Sequence, residues 1–181
     1  MAAVPTIESA RLILRDWRDE DVEAFAAMNA DPRVAEFLGG PFSRERSESS
    51  AAAIRHALEC NGYGWWVIEL RDGTPFAGVI ALQKVPFEAP FTPAYEIGWR
   101  LPFATWGRGY ATEGANAALR RAFDTLRWPE VVAFTAEGNL RSRRVMERLN
   151  MTHDRVGDFD HPKLDPANVL RRHVLYRIKR R

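Results

Sequence analysis

The sequence is poor in cysteine, in excess charge of either sign and in long apolar runs. With Cys60 as its one cysteine, an intrachain disulfide and a cysteine-rich metal site are both excluded. Lys and Arg total 26 against 24 Asp and Glu, a formal net charge of +2. So even a balance argues against nucleic acid or a membrane surface as partner. No apolar run reaches membrane-spanning length and no signal peptide opens the chain, so a cytoplasmic location is expected. His153, His161 and His173 lack metal-ligand spacing, and no metal is expected. There is no Gly-Lys-Ser/Thr phosphate loop, and no repeat or low-complexity tract.

What is present suits one domain over residues 1–181, with 46% hydrophobic residues and enough length for a sizeable core. Residues 11–15 read as a strand. Asp19 is placed to cap a helix over about 20–29, and Ser43 a second helix to about Leu58. Residues 64–70 and 76–83 read as strands around an Asp72-Gly73 turn, with Gly78 a possible bulge. A proline-stiffened loop, 84–93, carries Phe87 and Phe91. These either wall a pocket or pack as a satellite hydrophobic cluster, the latter being the commoner arrangement. Strands at 95–101 and 131–135 flank a helix, and 151–159 and 169–178 read as the last two strands. The order implies an α+β fold around a mostly antiparallel sheet of about seven strands, with one parallel pair and about four helices. Cys60 reads as a buried hydrophobe at a helix end.

The most informative stretch is 94–126. A strand, Tyr95 to Leu101, leads through Pro102 into Trp106-Gly107-Arg108-Gly109-Tyr110-Ala111. Apolar residues then fall at 111, 115, 118, 119, 122, 123 and 126, one helical face. A glycine turn opening a helix is suited to anions, because the first-turn N–H groups are unpaired and the dipole is positive there. A dinucleotide fingerprint fails, since Thr112 stands where Gly or Ala is needed and five residues separate Leu101 from Gly107. A plain glycine turn before a core helix remains the alternative.

A second constellation runs from Asn139 to Met151. Asn139 is placed as an N-cap, and Ser142, Val145, Met146 and Leu149 share one face. An inward Ser142 needs a partner; a capping or back-bonding role is the ordinary explanation.

Together these two stretches resemble the GNAT acetyltransferases. Residues 106–113, Trp-Gly-Arg-Gly-Tyr-Ala-Thr-Glu, are similar to that family's acetyl-CoA motif. Asn139, Ser142 and the run Arg144-Val145-Met146-Glu147-Arg148-Leu149 are similar to a second motif of the branch typified by RimJ and RimL. Ser9 to Arg15 and the hairpin at 64–82 fit as well, so the resemblance spans nearly the whole chain. Trp106 replaces the usual Gln or Arg, Gly114 the usual Ala, and Asn150 the usual Gly, a position where Asn can adopt the left-handed conformation.

The resemblance implies transfer of an acetyl group from acetyl-CoA to a primary amine, with the strands at 95–101 and 131–135 splayed around the pantetheine arm. Trp99 and Leu101 would offer backbone groups. Gly107, Arg108, Gly109, Tyr110, Ala111 and Thr112 would form the pyrophosphate site, with Trp106 beside them on the cofactor, and Asn139 and Ser142 would meet the arm and its sulfur. Ser142 is the candidate proton donor, in the absence of a tyrosine on its helix. Glu96 is the candidate base, with a structural ion pair as the alternative. Glu113 reads as a helix-dipole partner. His161 or His173 could reach a pocket, although a loop or sheet role is the simpler reading. Trp65, Phe87 and Phe91 are candidates for the acceptor side, which would take a small amine or a protein N-terminus. The protein would be a monomer or homodimer. Two other readings stay open, a non-catalytic acyl-CoA-binding module and a nucleotide-binding domain.

Overall fold

Apolar stretches too short for helices pair into a nine-stranded sheet, seen over residues 4–180 in a computed structural model. In chain order the elements are β1 (Ile7–Glu8), β2 (Leu12–Arg15), α1 (Asp21–Ala30), α2 (Pro32–Ala35), α3 (Arg44–Asn61), β3 (Trp65–Leu70), β4 (Val79–Lys84), β5 (Tyr95–Arg100), α4 (Tyr110–Arg120), β6 (Glu130–Ala136), α5 (Leu140–Arg148), β7 (Thr152–His153), β8 (Phe159–Asp160) and β9 (Arg172–Lys179). The spatial order is β1-β2-β3-β4-β5-β6-β9-β7, with β8 also on β9. Every pairing is antiparallel except β5 with β6. On its other side β5 pairs with β4 along its length, from Val79↔Arg100 to Lys84↔Tyr95. Towards β6 it makes one register pair, Glu96↔Val132.

Register sets the two faces, because directly paired residues project to the same side. Trp65, Ala81 and Gly98 line up on the front face, with Gln83 opposite Glu96 and Val79 opposite Arg100. Trp66, Ile80, Leu82, Ile97 and Trp99 point to the back. There α4 packs so closely that a Cβ on Gly114 would lie 2.9 Å from Ile80 Cγ1. Trp66 is fully buried, and its indole N–H donates to the Pro5 carbonyl at 2.9 Å. On the front, α1 covers the sheet: Asn29 bonds Arg100, and Phe25 meets Trp17 edge-on at 5.1 Å. The third helix, α3, packs on α1. Its Ser43 cap accepts from the Arg46 N–H as expected.

Several boundaries differ from the sequence reading. Glu20, not Asp19, occupies the N-cap of α1 without a side-chain cap bond; Asp19 accepts instead from Arg55 at 2.9 Å. Between α1 and α3 the chain forms the short helix α2, which Pro32 starts, since proline suits a first turn and Asp31 caps it. The helix expected to Leu126 is α-helical to Arg120 and then widens into a π-helical segment, Arg121–Thr125. Residues 151–159 form two short strands around a 3₁₀ turn, because Asp154 bonds the Gly157 N–H and turns the chain. Cys60 is exposed, not buried; Leu58 takes the inward position on α3 instead. Asn150 does adopt the left-handed conformation, with φ 58°.

A buried ion pair fixes α1 to the sheet edge. Arg15 on β2 holds both Asp21 oxygens, at 2.7 and 3.0 Å, and reaches Glu69 at 2.5 Å and the Pro75 carbonyl at 2.7 Å. Asp21 is 3% exposed and Arg15 is 7%. Breaking such a pair from one side leaves a buried charge. Asp21→Ala should lower the unfolding free energy by about 3 kcal/mol in a urea titration. A loss under about 0.5 kcal/mol, the range of ordinary surface changes, would mean Glu69 alone suffices for Arg15.

Candidate active site

A cavity of about 600 Å³ opens where β5 and β6 part. Trp65, Ala81, Glu96, Gly98, Arg100 and Phe134 line it from the front face. Tyr110, Ala111, Thr112, Asn139 and Ser142 line it from the α4 and α5 side. The cavity therefore passes through the sheet, with different chemistry at each mouth. Beyond Glu96↔Val132, the backbone edges of both strands turn towards it unpaired.

The back mouth is built for an anion. Gly107 and Gly109 take φ of +75° and +81°, conformations that cost a side-chain-bearing residue about 1 kcal/mol or more. The N–H groups of residues 107–112 have no hydrogen-bond acceptor among the described residues. They sit at the positive end of α4. Trp106 holds the turn, its indole N–H donating to the Leu101 carbonyl at 2.8 Å, while Arg141 lies 4.7 Å over its ring. The N-terminal segment straps the turn from outside. Ser9 and the Arg11 N–H donate to Glu113 at 2.9 and 2.8 Å, and Arg11 also reaches the Arg108 carbonyl at 3.0 Å. Burial would raise the Glu113 carboxyl, but the bonds from Arg11 and Ser9 prevail and hold it below the usual carboxylate range. Arg148 on α5 lines this mouth and a smaller recess between α4 and α5.

Asn139 caps α5, accepting from the Ser142 N–H at 3.2 Å. Its two amide donors go to Thr135 Oγ1 at 2.9 Å and Ser142 Oγ at 3.2 Å. Both donors are thus committed within the protein. Ser142 Oγ accepts one of them and has no acceptor for its own proton among the described residues. Its hydroxyl is free to donate into the cavity it lines.

At the front mouth three side chains form a relay. The Trp65 indole N–H donates to Gln83 Oε1 at 2.7 Å, and the Gln83 amide donates to Glu96. Burial pushes the Glu96 carboxyl up to about 7, against the opposing pull of the Gln83 bond and Lys163. Arg100 sits on the same strand face, with its Nη1 donating to Asn29 at 2.7 Å. Burial, reinforced by Arg46, lowers its pKa to about 10. Glu96 and Arg100 form no ion pair with each other.

The cavity gathers Trp65, Glu96, Trp99, Leu101, Trp106, Gly107, Gly109, Tyr110, Ala111, Thr112, Asn139 and Ser142 from the sequence-derived set. Arg108 is exposed and outside its lining. Phe87 and Phe91 also stand apart, packed with Phe134 and Phe159 at ring distances of 4.9–6.4 Å. They are the satellite cluster under the loop rather than a wall, and Phe134 is the member that reaches the cavity. His161 and His173 join the same cluster, their rings 5.0 Å apart and tilted, and burial lowers both pKa values. The sequence reading missed Gln83, Arg100 and Asn29. The alternation Glu96-Gly98-Arg100 was the available signal for Arg100.

Residues 11–152 match the family model described as the acetyltransferase (GNAT) domain. The chain is 33% identical to FsC-acetyl coenzyme A-N(2)-transacetylase of Aspergillus fumigatus over 98% of its own length and 77% of that protein's. An acetyltransferase structure from Agrobacterium tumefaciens superposes with a TM-score of 0.77 at 28% identity, covering 99% of this chain and 97% of the other. RimL, described as an alpha-N-protein acetyltransferase in complex with coenzyme A, shares the fold with a TM-score of 0.76 at 18% identity, over 97% and 98% of the two chains. The chain belongs to the GNAT acetyltransferase family, enzymes that transfer the acetyl group of acetyl-CoA to an amine.

Proposed function

We propose that residues 1–181 form one N-acetyltransferase domain that moves the acetyl group of acetyl-CoA directly to a primary amine on a small molecule or peptide N-terminus. The observation that carries this is the cavity crossing the sheet, with free amides at one mouth and a carboxyl pushed up to about 7 at the other. The amides of residues 107–112 hold the pyrophosphate of acetyl-CoA, and Arg148 adds positive charge beside them. The unpaired edge of β5 at Trp99 and Leu101 binds the pantetheine arm and steadies the thioester oxygen. Acetyl-CoA supplies an acetyl group activated as a thioester.

Glu96 takes a proton from the acceptor amine, directly or through water, so that the nitrogen lone pair is free to attack. The new C–N bond forms as the C–S bond breaks. Ser142 donates its free proton to the departing thiolate, and Asn139 keeps its Oγ in place. The nitrogen gives up two protons in all: one leaves through Glu96 to solvent, and the second, shed after attack, replaces the one that Ser142 gives to sulfur, so the products are the amide, the free thiol and one released proton. RimL acts on a protein alpha-amine and the Aspergillus relative on an N(2) position, by their names. Both support an amine acceptor here. Five arginines against Glu96 in the cavity lining speak against a polycation such as an aminoglycoside.

The direct test is thiol release from acetyl-CoA over N-terminal peptides, amino acids, polyamines and aminoglycosides. Release only with monoamines is expected; acetyl-CoA binding with no release for any amine would favour a sensing module instead. Gly109→Asp should abolish acetyl-CoA binding by calorimetry, because it strains the turn and sets a carboxylate among the free amides. Unchanged affinity would remove the pyrophosphate assignment. For Glu96 the sign follows from its raised pKa: the carboxylate is the active form, so kcat/KM falls as pH drops below about 7. Glu96→Gln should cut the rate by about 100-fold above pH 7 and erase that inflection. A retained inflection would assign it to another group. Ser142→Ala should slow turnover about 10-fold with acetyl-CoA affinity unchanged, and wild-type kinetics would dismiss Ser142 as donor.

A further inference from the structure

We propose that Arg100 binds an anionic group carried by the acceptor itself, so that the substrate is an amino acid or a similar amine bearing a carboxylate. This deepens the acetyl-transfer reading above and rests on it. Arg100 is half-buried, and an arginine drawn that far from water ordinarily has a carboxylate partner. Arg100 has no such partner among the described residues, although it lines the cavity. Of its five N–H donors, one on Nη1 is used among the described residues, to Asn29.

The other cavity arginines have different surroundings. Arg33 pairs with Asp31 at 2.6 Å, and Arg141 pairs with Glu36. Arg144 and Arg148 belong to α5, on the cofactor side of the sheet. Arg100 faces the front, opposite Val79 and away from α4, so the pyrophosphate site does not account for it.

Its guanidinium is also held ready. Asn29 is fully buried and is itself tied to Ser47 at 3.3 Å. The rings of Phe25, Phe42 and Trp65 lie 5.9, 5.3 and 5.7 Å from Arg100 Cζ. A cation fixed in an aromatic frame loses little freedom when a carboxylate arrives, and its planar fork matches that group.

Glu96 completes the recognition. It lies four residues away on the same strand face, about 13 Å along the backbone. Trp65 links the two, its indole N–H tied through Gln83 to Glu96 and its ring beside Arg100. Between them the floor is Gly98 next to Ala81, with almost no side chain. An acceptor with its amine at Glu96 and its carboxylate at Arg100 fits this polarity. A simple amine leaves Arg100 unpaired, and a polycation meets it with like charge.

The test compares thiol release for matched pairs. α-Amino acids, and straight-chain ω-amino acids from β-alanine to 6-aminohexanoate, are set against their carboxamides. At least one acid should exceed its amide about 10-fold or more in kcat/KM, a typical effect of one charge-assisted pair. Arg100→Gln should remove about 100-fold from that acid and less than about 3-fold from the amide. Arg100→Lys should recover part of the loss. The acetyl-CoA Kd and the Tm of each variant report whether the cofactor site and fold survive. Equal rates for acids and amides throughout, or an equal loss for both in Arg100→Gln, would overturn the proposal and leave acetyl transfer standing. So would acetylation of neutral amines alone. Failure of the wild-type protein to bind acetyl-CoA would overturn both.

Discussion

Strands β5 and β6 lie side by side and share one backbone register pair, Glu96 with Val132, before they part. The rest of the cavity depends on that separation. A fully zipped parallel pair would satisfy its own N–H and C=O groups and close the sheet. Here β4 and β9 hold the outer edges of the two strands along their lengths, so the inner edges diverge without either strand losing its place. The α4 helix then closes the back, and its small residues, with Gly114 against Ile80, let it lie close to the sheet. The anion turn before α4 is thereby brought to the slot.

The two faces of the sheet divide the chemistry. Residues 107–112 and Ser142 approach from behind, where a thioester arm would run. Glu96 and Arg100 approach from the front because the pleat sends even-numbered residues of β5 that way. In the proposed function one strand thus contributes backbone to the cofactor and side chains to the acceptor. This explains why Glu96 is so sensitive to its surroundings. It sits at the last paired position, away from bulk water, with Gln83 as its close hydrogen-bond donor. Its raised pKa follows from burial in that spot.

How much of this was legible in the sequence varied with the range of the interaction. The turn at 106–109 and the cap at Asn139 are local devices, written in consecutive residues, and both lie at the cavity. Trp106 was legible as a departure, but its bond to the Leu101 carbonyl depends on how the turn folds back. Gln83 was invisible because its role comes from register between β4 and β5, and a shift of one residue would turn it to the other face. Asn29 and Ser47 gain meaning only when α1 and α3 pack together over the front face. The loop aromatics Phe87 and Phe91 show the converse. Composition offered two destinations, and the presence of Phe134 and Phe159 opposite them selects the satellite cluster.

Glu96 and Arg100 also have a joint consequence for stability. Burial moves each towards its neutral form, one up to about 7 and the other down to about 10. Were they in contact, each would stabilise the charged state of the other and both shifts would shrink or reverse. Neither side chain reaches the other, and the Trp65 indole and the bare Gly98–Ala81 floor keep the space between them open. A direct ion pair across that gap would offset the desolvation of both groups but fill the room that the proposed acceptor takes. Under the proposed function that cost has a use: two opposite charges held apart in partly buried positions, rather than paired, leave a chamber with polarity at both ends.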